Sequence, residues 1–582
     1  MNLFSGLRRV AAASMLAGAA EAAVFTVGSD AACTHRSLGA ALNTTAANGP
    51  GVDEIRLVPG FAFSDFADPW AIRNQSVTLR GGFPTCAASA QSGPRTTIVS
   101  REAGSLFTVS NSQALRTTVT LERLELTTPE GSSVNSVAAG GALMLRGNVR
   151  AIVADSRVHG FRASGGGAMA LRDEPDGVPR IDLRQTEIRG NRASHGGGLH
   201  CLGQGMIRLE PGAIVAGNVA SGEGGGVWSQ GCSVVMLSRT TLQDNQASQG
   251  GGLYGSGGAI VSLLWSERTQ GPRVIGNRAS FWGGGMFLTG SGTELMAWGS
   301  QWLANRAEPA DVGGDGAALL VGWGARARLL RDPSCPASVD GCTRFYGNSA
   351  QSGGFPEYPS IVDVRAGGHL TISSALFDYN RVISVGNRGG AIVSVQPYVP
   401  GGSLAEIDNI VLNQNRARHL FGAERTAGDD ASAAGRVRAQ SITSLDGQFT
   451  TLLGSQYAPP IADTALPVDL RASILLGATP LTDPGRVVTG ALDCLLTTIA
   501  PELPVTRSRL VAGAPVFEGG SFVPAWSSPA LDYCDTAGLR SVSSDAHGRP
   551  RLDNDPLRHD RYGPLDLGAV ERESEPLVVD PG

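Results

Sequence analysis

Between residues 186 and 290 the apolar positions do not follow a 3.6-residue helical period. Short alternating or continuous apolar runs, such as SVVMLSRTTLQDN and RVIGN, are separated by clusters of Gly, Asn and Ser. That is the pattern of short strands joined by tight turns. One phrase recurs, as IRGNRASHGGGL, IVAGNVASGEGGGV, LQDNQASQGGGL and VIGNRASFWGGGM. Its asparagines are Asn191, Asn218, Asn245 and Asn277, with gaps of 27, 27 and 32. The last glycines of its triplets are Gly198, Gly226, Gly252 and Gly285, with gaps of 28, 26 and 33. Two markers therefore keep one period. Weaker copies place Asn305, Asn348, Asn380 and Asn415, and an upstream relative, HGFRASGGGAM, keeps Gly165 to Gly167 without the Asn. An apolar residue stands three before every Asn: Ile188, Val215, Leu242, Val274, Trp302, Phe345, Phe377 and Leu412.

A repeat of this length built from strands and glycine turns predicts a parallel β-helix, one coil per repeat. Propeller blades need longer repeats, and helical solenoids need long helical segments. The fold class expected is all-β, a parallel β-helix. Spread over the whole mature chain, the repeat predicts about 20 coils and a length on the order of 90 Å at the strand spacing. The residue three before Asn should point inward. Asn tolerates left-handed backbone and bonds nearby backbone groups. Stacked from coil to coil, the amides can bond one another along the axis. The glycine triplet permits a corner with positive φ and close approach of neighbouring coils. Leu199, Val227, Leu253 and Met286 then open the next inward-facing strand.

Composition agrees with this pattern and excludes several functions. There are 79 glycines among 582 residues, about twice the usual share, and only 17% of residues are charged. The net charge is −5, so no nucleic-acid footprint is expected. All 47 basic residues are arginine, which excludes lysine Schiff-base and P-loop chemistry. No cofactor is expected, and no metal site either: the calcium nonapeptide G-G-x-G-x-D and any close Cys/His cluster are absent. Residues 1–22 read as a signal peptide, with Arg8 and Arg9, an apolar stretch from Val10 to Ala20, and the cleavage pattern Ala20-Glu21-Ala22. Downstream no apolar run is long enough for a transmembrane helix. The protein is expected outside the cell or on its outer surface, with the periplasm as an alternative. Eight cysteines in an exported chain favour disulfides. Their order suggests Cys33–Cys86, Cys201–Cys232, Cys335–Cys342 and Cys494–Cys534.

The apolar-x-x-Asn phrase with its GGA(I/L) successors resembles the repeats of polymorphic outer membrane proteins. More broadly it is similar to bacterial right-handed parallel β-helix proteins of the pectin-lyase-like superfamily, which implies a right-handed parallel β-helix with a short N-terminal capping helix. The entry VGSDAACTHRSLGAALNTTAANGPGVDEIRLVPG is similar too, with a capping helix at Ser37 to Leu42 and first strand at Glu54 to Val58. Near the end, SSPALDYCD (Ser527 to Asp535), DAHGRPR (Asp545 to Arg551) and LDLGAVE (Leu565 to Glu571) resemble the terminal module of secreted β-helix proteins. The chain is expected to divide into five segments: the signal peptide 1–22, the N-terminal cap and first coils 23–135, the repeat helix 136–420, irregular coils with an exposed loop 421–500, and terminal coils and module 501–582. Autotransporter-like relatives end in a membrane barrel, and the chain after residue 500 shows no such strand series.

Enzymes of this superfamily act on polysaccharides, which makes the outward positions the place to look for chemistry. Asp429-Asp430 and His159-Gly160 resemble parts of a polygalacturonase site but occur in the wrong order, and no catalytic residue is assigned. His195, just before one triplet, and Trp282, at the equivalent corner, are corner residues able to face a ligand. Trp228, Tyr254 and Phe287 each follow the first inward position after a triplet and form a row at coil spacing. Such a row either stacks on sugar rings or packs beneath loops, and aromatic residues more often do the latter. Three functions remain: a non-catalytic surface or secreted protein contacting a polysaccharide or cell-surface ligand, a polysaccharide lyase or hydrolase, and a structural surface component.

Overall fold

The computed structural model describes residues 22–572 except 50, 61–69, 102, 130–138, 176, 266–269, 309–313, 333–342, 353–358, 385–388, 398–401, 424–433, 446, 455–464, 478–479, 483–485, 499–503, 511–516, 519–520, 532, 536–538, 541–543, 548, 550, 552–564 and 571. The leader segment through residue 21, Cys335, Cys342 and Asp429-Asp430 lie outside the described residues.

The chain winds as a right-handed parallel β-solenoid. Among the described residues its strands form sheets of 26, 13 and 8 strands along the coil axis, with a two-stranded sheet beside them. One coil shows the plan. Leu199–Leu202 belongs to the 13-stranded sheet, Met206–Leu209 and Ile214–Ala216 to the 26-stranded sheet, and Val219–Ala220 to the 8-stranded sheet. Each strand pairs in parallel register with its counterpart one coil on, as Leu199 with Val227 and Ile207 with Val234. The inward side chains Leu199, Cys201, Ile207, Leu209 and Val215 are fully buried. The residues three before each Asn are at most 1% exposed, and Trp302, Phe345 and Phe377 stack down the core with ring centroids 5.8 and 4.4 Å apart.

The helix at the entry runs over Leu38–Ala47, beyond the expected Leu42, because Thr and Ala residues extend it as far as Asn48 and Gly49. The Ser37 hydroxyl caps it by accepting from the Ala40 amide at 3.0 Å. The helix covers the open end of the first coil with Leu38, Ala41 and Leu42, shielding an edge that would otherwise be free to pair.

The solenoid has about 12 turns, not 20. The step between ladder asparagines is 27 residues at its shortest, and insertions stretch the step from Asn305 to Asn348 to 43 residues. Beyond Ser508–Leu510 the described residues add no strand to the large sheets. The terminal segment instead folds back over the outer face of the last coils. Ala530, Tyr533, Cys534, Leu565 and Leu567 pack on Ala472, Ile474, Cys494 and Leu496. Buried Arg551 donates to Asn409 Oδ1 at 2.7 Å and to the Gly568 carbonyl at 2.7 Å. The Gly568 amide donates in turn to the Ala472 carbonyl at 2.9 Å. The motifs of the terminal segment therefore act here as a clamp on the solenoid wall.

Two columns of left-handed backbone recur along the solenoid among the described residues. One runs inside the 26-stranded sheet through Asp155, Gln185, Arg239, Ser374, Asn409, Ser441, Ala472 and Cys494, with φ between 42° and 62°. The other immediately precedes the asparagines, at Gly190, Gly217, Asp244, Gly276, Ala304, Gly347, Tyr379 and Gln414, with φ between 50° and 62°. The left-handed geometry expected of Asn is thus held by the residue before it. The Asn stays free to use its amide: Asn218 Nδ2 donates to Asn245 Oδ1 at 3.0 Å and to the Ile188 carbonyl at 2.9 Å. The same rung repeats from Asn191 to Asn415. Phe161 takes the position before Asn191 and Gly447 the position after Asn415, and neither offers an amide side chain.

Candidate functional site

At the glycine corner the three glycines divide the work. The first of each triplet, Gly196, Gly224, Gly250 and Gly283, has φ between 62° and 66° and makes the turn. The later ones admit the next coil: a Cβ on Gly198 would lie 2.7 Å from the Gly226 carbonyl oxygen and one on Gly226 2.6 Å from that of Gly252. Gly252 and Gly285 face their next coil in the same way. The result is a smooth floor with no side chains of its own, and two columns of side chains flank it.

The residues just before the turn form one column, His195, Glu223, Gln249, Trp282 and Asp315, bridged in parallel from coil to coil. The outward residues of the 13-stranded sheet form the other, His200, Trp228, Tyr254, Phe287 and Leu320. The columns touch across the floor. His195 Nδ1 pairs with Glu223, and its ring lies 6.0 Å from that of Trp228. His200 stacks on Trp228 at 4.4 Å with the planes 9° apart. Burial, reinforced by nearby His195, lowers the His200 pKa to about 4, so a neutral imidazole meets the indole at neutral pH. Burial and the Glu223 carboxylate push the Tyr254 phenol up, against a hydrogen bond from Ser256. Tyr254 therefore keeps its proton and remains both donor and acceptor.

The strip changes character along the axis. His195 is exposed, and Trp228, Glu223, Gln249 and Tyr254 are half-buried. At the next coil Phe287 is only 2% exposed, enclosed by Tyr254, Trp282 and Trp323 at 5.3, 6.0 and 5.7 Å. The Arg365 guanidinium lies 5.4 Å from the Trp282 ring and pairs with Asp315 at 2.6 Å and with Asp363. Burial pushes the Asp363 carboxyl up while Arg365 opposes the shift. This end is a packed anchor, and Phe287 belongs to it. The end around Trp228 and Tyr254 is open.

His159 stands on another face, in the 26-stranded sheet, with Nε2 3.1 Å from Glu125 and Nδ1 3.3 Å from Thr127. Among the described residues the disulfides Cys33–Cys86, Cys201–Cys232 and Cys494–Cys534 are formed. No helix is long and apolar enough to cross a membrane among the described residues, and no group of three or more His, Cys, Asp or Glu is arranged to hold a metal there.

No family model matches the chain, and no curated protein matches it. Neither the polymorphic-outer-membrane repeats, the pectin-lyase-like superfamily nor the terminal module is named by a comparison. Among solved structures, tailspike protein 3 of bacteriophage CBA120 aligns with a TM-score of 0.31 at 10% identity, covering 90% of this chain and 65% of that one.

His200, Glu223, Gln249, Asp315 and Trp323 escaped sequence reading. His200 carried the same signal as Trp228, since it follows the first inward residue Leu199. Glu223 and Gln249 occupy the position of His195 in their own repeats. Aligning the repeats on the glycines retrieves both columns. Arg365 gave no such signal, because its coil has lost the triplet.

Proposed function

We propose that the protein is an exported, non-catalytic glycan-contact protein whose binding strip is the open end of this corner. The observation that carries the reading is the registered pair Trp228 and Tyr254, half-buried one coil apart and bordered by Glu223, His195 and Gln249. Aromatic faces take up the apolar faces of sugar rings, while neighbouring carboxylate, imidazole and amide groups bond the hydroxyls. The coil step of ~4.8 Å suits consecutive rings of an extended chain. The glycine floor supports the reading because it lets a ligand approach backbone closely. Export is supported by the three disulfides together with the leader pattern in the sequence. The motif resemblance to pectin-lyase-like β-helix proteins belongs with this reading.

The test is a panel of neutral and acidic polysaccharides, with and without calcium, scored by calorimetry and by release of reducing ends. Binding without cleavage is expected. Replacing Trp228 and Tyr254 together by Ala should weaken it about tenfold or more, from roughly 1 kcal/mol per aromatic contact. Replacing exposed Tyr346 and Tyr379 on another face should leave it unchanged. Cleavage lost with Glu223→Gln would overturn the non-catalytic reading, and binding indifferent to Trp228 and Tyr254 would overturn the site.

A further inference from the structure

A second feature lies on the 8-stranded sheet, several coils from the aromatic strip, and does not rest on the reading above. Arg381 follows the ladder residue Asn380, and Arg416 follows Asn415. The ladder holds the two coils in register, and Arg381 and Arg416 face each other in a parallel bridge. Both are exposed, and neither forms an ion pair among the described residues. With Arg418, Val382, Phe449 and Thr450 they line an open cavity of about 630 Å³.

Other outward arginines of the solenoid are neutralised by a carboxylate. On the 26-stranded sheet Arg80, Arg150, Arg157 and Arg344 each reach a carboxylate one coil away, on Glu122, Asp182, Glu187 and Asp378, at 2.7–2.9 Å. On the 8-stranded sheet itself Arg278 and Arg306 share Glu308 at 3.9 and 3.8 Å. Like charges directly opposite across a strand pair are destabilising. At one coil step the repulsion is about 1 kcal/mol in water and several times larger beside protein. The fold tolerates this at Arg381 and Arg416, beside a cavity.

We infer that Arg381 and Arg416 form an anion subsite for a tetrahedral oxyanion, a sulfate or phosphate ester carried on a glycan chain. A single guanidinium satisfies a carboxylate with two parallel bonds. Two guanidiniums one coil apart instead fit a group that presents three outward oxygens, one face to each arginine. Half-buried Phe449 supplies an apolar wall beside that group, as a sugar ring requires. Arg162 and Arg192 repeat the stacked pair farther along the same sheet. That repetition suits a polymer lying along the axis rather than a lone small ion.

The test uses the full chain and the double variant Arg381→Gln/Arg416→Gln, titrated calorimetrically with dextran sulfate, polygalacturonate, dextran and inorganic sulfate at two salt concentrations. Dextran sulfate should bind the native chain in a salt-dependent manner and at least tenfold more weakly to the variant, with dextran silent. The Trp228→Ala/Tyr254→Ala variant should keep this binding, which separates the two sites. The Tm of the arginine variant without ligand should be unchanged or higher, since a repulsion is removed. Equal binding to both proteins overturns the inference. So does polygalacturonate binding as tightly as dextran sulfate, inorganic sulfate binding as tightly as the polymer, or a marked fall in Tm that exposes the arginines as structural.

Discussion

Asn245→Ala is the sharpest probe of what holds the coils together. The Asn245 side chain is fully buried and makes four hydrogen bonds. Nδ2 donates to the Val215 carbonyl and to Asn277 Oδ1, both at 2.9 Å. Oδ1 accepts from the Asn218 backbone amide and from Asn218 Nδ2, both at 3.0 Å. Alanine removes all four and leaves the Asn218 backbone N–H buried without its acceptor. At a net of about 1 kcal/mol per bond the loss is about 4 kcal/mol, before any penalty for the orphaned donor. The end rung Asn415 keeps only three such bonds, to the Phe377 carbonyl and from Asn380. Asn415→Ala should therefore cost about 3 kcal/mol and loosen only the terminal coils. Asn245→Asp should cost at least as much as the alanine variant, because it turns a donor into a buried carboxylate oxygen facing two acceptors. Solenoids need not unfold in one step, so the readout pairs denaturant unfolding with hydrogen exchange resolved by peptide. Faster exchange in the coils flanking residues 218–277 is expected. A loss below about 1 kcal/mol with unchanged exchange would refute the ladder as a source of stability.

His200 gives a pH dependence whose sign follows from its lowered pKa. The unfolded side chain takes up a proton near pH 6.5, whereas the folded one does so only near 4. Stability is therefore fully present above 6.5 and is lost as pH falls towards 4, by roughly 3 kcal/mol at most. Unfolding followed by Trp fluorescence across that window should show the slope, and His200→Phe should flatten it; an unchanged slope would count against the burial argument. The glycines offer a paired test. A Cβ on Gly225 would collide with the carbonyl oxygens of Gly251 and Gln246, whereas one on Gly217 meets nothing within 4 Å. Gly225→Ala should cost upwards of about 3 kcal/mol, and Gly217→Ala about 1 kcal/mol for its left-handed φ. Equal losses in calorimetric melting would remove the distinction between approach and conformation.

The period carried much of this architecture into the sequence. Two markers, Asn and the glycine triplet, recur because every coil meets the same two constraints: an amide to bond the coil above and a corner free of side chains. The inward residues at Ile188, Val215 and their successors were legible for the same reason. Which residue takes the left-handed φ was not, because Gly, Asp, Ala, Tyr and Gln all fill that column and share no side-chain chemistry. The number of turns was hidden by insertions, which lengthen a coil without altering its strands. The aromatic strip was partly visible through Trp228 and Tyr254. The fate of Phe287 was not, since it depends on Trp323 and Arg365 from later coils whose triplets have decayed. The clamp formed by Arg551 on Asn409 joins residues 142 apart, a pairing no local pattern encodes.

The most direct measurement is hydrogen exchange on the full chain, free and saturated with a glycan found by the binding panel. Protection concentrated at 195–200, 223–228 and 249–254 is the result predicted by a ligand lying along the open aromatic corner. Protection confined to other faces of the solenoid, with these three segments unchanged, would contradict it.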